Sequence, residues 1–183
     1  MGLNSTKVMK NVNQNFKMLN KYRFKEGIKG LLKMAELSTK LGVDMDFASG
    51  MADKLFSVEG AVEMSAQLNV MGGAWAQMAD PFKLMYQARN DMQGLTDDIS
   101  KAAASSMSFA QDGSIQTNAM EMHRLRIVAE QTGLEYEKLV ELGKTKFKFD
   151  KIEMQSAGLT DEMKTFLANT AEFKDGKAYI ELE

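Results

Sequence analysis

The sequence predicts a mainly α fold: a multi-helix domain with αα corners and two short β-hairpins able to pair into one small sheet. Three observations lead there. Apolar residues recur at three- and four-residue steps through most of the chain. A single proline, 16 methionines and few β-branched residues favour helix over sheet. Two Asp-Gly pairs, Asp112-Gly113 and Asp175-Gly176, lie between short alternating segments, which is a hairpin signal.

From Leu3 to Leu41 the residues Val8, Val12, Phe16, Leu19, Ile28, Leu31, Leu32 and Ala35 keep helical spacing. Gly27 and Gly30 weaken the second half of this run, and Tyr22-Arg23-Phe24 is a place to bend. Gly42 ends it as a glycine that accepts the left-handed conformation. A second helix is expected over residues 44–56 with Asp44 as N-cap. A third is capped by Ser57 and runs through Val58, Val62, Leu68 and Met71. Gly72-Gly73 breaks it. Trp75 and Met78 extend the apolar face for one turn before Asp80-Pro81 restarts a helix, Asp80 as cap and Pro81 at the first helical position. Phe82, Leu84, Met85 and Ala88 are its expected buried face, which places Trp75 near Phe82. Thr96-Asp97-Asp98 is expected to cap or charge the next helix, which runs to Ser105.

Met64, Met71, Met78, Met85 and Met92 fall seven residues apart across these breaks. A coiled-coil seam cannot run through two glycines and a proline, so the spacing reads as methionines placed in the core on successive helices. After the first hairpin, near 108–116, Thr117 or Asn118 caps a helix that closes at Gly133. Residues 135–147 and 150–157 read as two further helices. Thr160 caps a last one through Phe166 and Leu167, and the second hairpin covers 171–182.

At 44% hydrophobic and 26% charged, the chain of 183 residues has the composition of an ordinary folded protein with a real core. Its net charge of −2 hides an asymmetry. Residues 1–34 hold eight Lys/Arg against Glu26 alone, a net +7, which leaves 15 basic and 24 acidic groups, or −9, for the rest. The chain therefore divides into a basic helical arm, 1–34, and a helical body, 35–183. An arm of this kind suits an anionic partner or the acidic body of a neighbouring copy, with Lys10, Lys17, Lys21 and Lys25 as the contacting cations. The solvated face of a surface helix would carry the same charges.

The residues for chemistry are sparse. With no cysteine there is no disulfide framework and no thiolate metal site. Asp44-x-Asp46 and Asp97-Asp98 lack the further oxygen ligands of a calcium loop and stand where helix caps are wanted. His123, the only histidine, lies between Glu121 and Arg124 with no nucleophile motif, and is expected to be partly exposed and ion-paired. The strip from His123 to Lys144 has a helix-turn-helix outline with Gly133 in the turn. Its second helix presents Glu135, Glu137 and Glu141, which phosphates would repel. Neither phosphate-binding glycine motif occurs. We expect no enzyme, no metal, no cofactor and no small-molecule substrate, and no segment approaches a membrane span.

The block 60–99, "GAVEMSAQLNVMGGAWAQMADPFKLMYQARNDMQGLTDDI", followed by "MEMHRLRIVAEQTGLEYEKL" (120–139) and "AEFKDGKAYIEL" (171–182), resembles the tail tape measure proteins of tailed bacteriophages, closest to those of Bacteroidetes and gut phages. The resemblance spans nearly the whole chain and is most specific at the Gly-Gly-x-Trp, Asp-Pro-Phe and Met-Tyr-x-Ala-Arg-Asn-Asp elements. Proteins of that family are usually far longer and carry apolar segments, so the resemblance implies a fragment or domain. It also implies a structural virion protein packed in the tail lumen beside other copies of itself, contacting tail tube and tail assembly proteins. Assembly would take place in the host cytoplasm, and host membrane or DNA would be met at ejection. Trp75 and Phe82, at the heart of the block, join the four lysines as the candidate interaction surface. The alternative from another class is a helical module binding nucleic acid or an anionic membrane through the basic arm.

Overall fold

The helical spacing resolves into eleven helical segments among the described residues of the computed structural model, which are 5–155, 158–174 and 177–179. In order they are α1 (Ser5–Asn15), α2 (Met18–Lys21), α3 (Ile28–Leu41), α4 (Ser49–Lys54), α5 (Val58–Met71), α6 (Gly73–Gln77), α7 (Pro81–Asn90) and α8 (Met92–Ala104). A hairpin of β1 (Ser108–Phe109) and β2 (Ile115–Gln116) precedes α9 (Ala119–Thr132), α10 (Tyr136–Gln155) and α11 (Asp161–Thr170). The strands β3 (Glu172–Lys174) and β4 (Lys177–Tyr179) follow. The mainly α class is as expected.

The centre of the core is α8. Met92, Leu95, Ile99 and the Ala102–Ala104 run are buried. So are Thr96 and Ser100, whose hydroxyls donate to the carbonyls of Met92 (3.0 Å) and Asp97 (2.7 Å) and thus need no outside partner. Helices α3, α6, α7 and α10 pack around α8. The approach of α10 is close because Gly143 lies against it. A Cβ there would stand 2.9 Å from the Ala103 carbonyl oxygen and 2.7 Å from the Met107 methyl. Segment 1–34 shares this core: Val8, Val12, Met18, Tyr22 and Phe24 are buried with Leu31 and Met34, and α1 packs on α3. A smaller cluster of Phe149 and Ile152, with Phe109 and Leu167 against it, ties the first hairpin and α11 to α10.

Most of the expected stops and starts are present. Gly42 and Gly133 close their helices in the left-handed conformation, at φ 70° and 76°. Ser57, Asp80, Asn118 and Thr160 each accept a backbone N–H from the residue three ahead. The five heptad-spaced methionines sit on α5, at the end of α6, on α7 and on α8, all buried or partly buried against the one core.

Several expectations are corrected. Residues 45–48 form turns and α4 starts only at Ser49; the Asp44 carboxylate pairs with Lys138 (3.2 Å) instead of capping. Asp91, not Thr96-Asp97-Asp98, caps α8, accepting from Gly94 N–H (3.0 Å). Asp97 and Asp98 lie inside that helix and pair with Lys101 (2.5 Å) and Lys83 (2.7 Å). The two helices expected over 135–147 and 150–157 are one, α10. No glycine or proline interrupts 144–155, Lys146 bridges Asp150 across a turn (2.6 Å), and Phe149 and Ile152 are buried. The hairpins make two separate two-stranded sheets instead of one. The turn residues Asp175 and Gly176, and 180–182, lie outside the described residues, as do residues 3 and 4 of the first helical run and residues 156 and 157 of the expected 150–157 helix. Phe16, Ile28, Val58, Val62 and Phe82, expected on buried faces, are exposed.

Candidate interaction surface

The Gly-Gly to Asp-Pro stretch builds a helical corner. Gly72 (φ 71°) and Gly73 (φ 57°) both take positive φ, which residues with a Cβ resist, and so turn the chain sharply out of α5 into the short α6. The turn drives Trp75 inward, where it is 1% exposed among the largest buried side chains. Its indole N–H finds no acceptor among the described residues, so apolar contact holds the ring there. The Ser65 hydroxyl then donates to the Ala79 carbonyl, and Asp80 Oδ1 accepts from Lys83 N–H at 2.9 Å to start α7. At the far end the Arg89 guanidinium donates to the Phe56 carbonyl. These two long-range bonds fix α7 antiparallel to α5.

The inward face of α7 is Leu84, Gln87 and Ala88. At about 100° per residue, Phe82 stands roughly 160° around the helix from Leu84, so it points out, with Tyr86 one turn on. Phe82 is 78% exposed, and among the described residues no ring contact joins it to Trp75. Trp75 is therefore a core residue and not part of any surface, whereas Phe82 is.

Helix α5 carries a second apolar stripe next to it. Ala61, Met64 and Leu68 face the core, while Val58, Val62, Ala66 and Val70 recur at four-residue steps on the exposed side. Val70 is 82% exposed. Together with Phe82 and Tyr86 they make an apolar strip across α5 and α7, a feature of association surfaces. Glu59 and Glu63 line its α5 edge and Lys83 its α7 edge, with Arg89 near the end of α7. Sequence reading assigned Val58 and Val62 to the core. The signal that identifies the strip is that α5 is apolar well beyond its core-facing stripe, more than one monomeric helix can bury.

The basic segment is divided in its roles. Lys21 donates to Asp53 Oδ2 and the Tyr22 hydroxyl donates to Asp53 Oδ1, both at 2.7 Å, tying α2 to α4. The bond to Asp53 raises the Lys21 pKa. Burial pushes the Asp53 carboxyl up, but the bonds from Lys21 and Tyr22 outweigh it and hold it below the usual carboxylate range. Lys10 and Lys17 are exposed and form no ion pair among the described residues, and Lys25 acts on Glu26 only at range. Lys10 borders a cleft with Asp44 and Asp46, and Lys25 one with Asp91 and Asp97, so the structure brings the four lysines to different neighbours and not to one patch.

The α9–α10 corner has the expected outline. Glu135, Glu137 and Glu141 are exposed, and Lys138 is held by Glu135 and Asp44 at 3.2 Å each. His123 is exposed but not ion-paired among the described residues, because the Glu121 carboxylate engages Arg124 and Ser106 instead. Among the described residues no three His, Asp or Glu side chains converge as a metal ion requires, and no helix is long and apolar enough to cross a membrane. No family model, curated protein or solved structure matches this chain.

Proposed function

We propose that the chain is a structural component of a bacteriophage tail, a tape-measure-like piece packed in the tail lumen with other copies of itself and against tube subunits. One observation supports this reading above the others. The block of sequence that carries the resemblance, 60–99, supplies most of the exposed apolar strip of α5 and α7. The same glycines, tryptophan and Asp-Pro pair that bury the inside of the corner leave valines, Phe82 and Tyr86 on its outside, as a packing protein requires. Asp80 serves as a helix cap and Asp97, Asp98 and Asp150 hold lysines in surface ion pairs, roles that suit a scaffold.

Mass spectrometry of purified tailed particles, from the phage whose genome encodes the chain, tests it. Peptides from 60–99 should be present in several copies per particle. Their confinement to the soluble lysate, with none in the particles, would overturn the reading.

The second reading, a module for nucleic acid or anionic membranes, draws on the exposure of Lys10 and Lys17, which form no ion pair among the described residues. Binding to DNA or anionic vesicles that falls steeply with salt, and is lost when Lys10, Lys17 and Lys25 become Gln, would favour it. The nearby carboxylates at Asp44, Asp46, Asp91 and Asp97 weigh against it.

A further inference from the structure

We draw no further inference here: the strongest candidate, the exposed apolar strip that Val58, Val62, Val70, Phe82 and Tyr86 form across α5 and α7, carries none, since nothing in the structure shows what covers it.

Discussion

Trp75 and Phe82 lie seven residues apart in one corner, yet the structure gives them opposite roles, and paired alanine substitutions separate these. Trp75 is 1% exposed and Phe82 78%. Removing a fully buried tryptophan strips away most of roughly 200 Å² of aromatic burial. At about 25 cal/mol per Å² this gives a ceiling near 5 kcal/mol, matching the range of about 3–5 kcal/mol seen for such truncations. The indole N–H has no acceptor among the described residues, so no hydrogen bond to them is lost with it. Trp75→Phe, which removes that orphaned donor and keeps most of the ring, should therefore cost much less than Trp75→Ala. Phe82→Ala should stay within about 0.5 kcal/mol, as exposed substitutions do. In a chain of this size each kcal/mol lowers the melting temperature by about 2–4 °C. Melts followed by circular dichroism at one low protein concentration should then show Trp75→Ala lower by about 10 °C and Phe82→Ala nearly unchanged. Equal losses for the two, or a large loss for Phe82→Ala alone, would refute the inside–outside assignment of the corner.

Asp80→Ala removes the α7 cap and should cost about 1 kcal/mol in a denaturant titration, whereas Pro81→Ala, at a position that needs no N–H, should be mild. Gly143→Ala gains helix propensity of about 1 kcal/mol but sets a Cβ against the Ala103 backbone, 2.9 Å from its carbonyl oxygen; a net loss of about 1–2 kcal/mol is expected, read from the same titration. The Asp53 carboxyl is depressed in the folded protein, so its contribution is present above the unfolded carboxylate pKa of about 3.9 and is lost as pH falls through the lower folded value. Asp53→Asn should therefore narrow the gap in melting temperature between neutral pH and acid, and an unchanged gap would show that Asp53 has no part in it.

The punctuation of this chain was legible because caps and closing glycines act locally. Ser57, Asp80, Asn118 and Thr160 each satisfy an N–H within their own first turn, and Gly42 and Gly133 each supply a left-handed residue that few others tolerate. What escaped was set by tertiary contact. Asp44 has the chemistry of a cap, yet Lys138, far away in sequence, takes its carboxylate. Helix α10 runs on past Phe147 because Phe149 and Ile152 have a small core of their own to fill. Facing was the hardest feature to read. Spacing shows that Val58 and Val62 share a side of α5, but not that Met64 and Leu68, on another side, claim the core. The same ambiguity put Phe82 inside. The basic segment was legible as charge, but its division among Asp53, Glu26 and open solvent depends on which helices lie beside it.

The claim that the α5–α7 face is exposed in the isolated chain and covered in its working assembly can be tested by hydroxyl-radical footprinting of both states. In the purified chain held dilute, Phe82 and Tyr86 should be oxidised readily and Trp75 hardly at all. On the proposed tail role, Phe82 and Tyr86 should become protected in intact tails, while exposed residues elsewhere such as Met120 give the reference rate. Phe82 and Tyr86 oxidised as fast in the tail as in the free chain would contradict the claim.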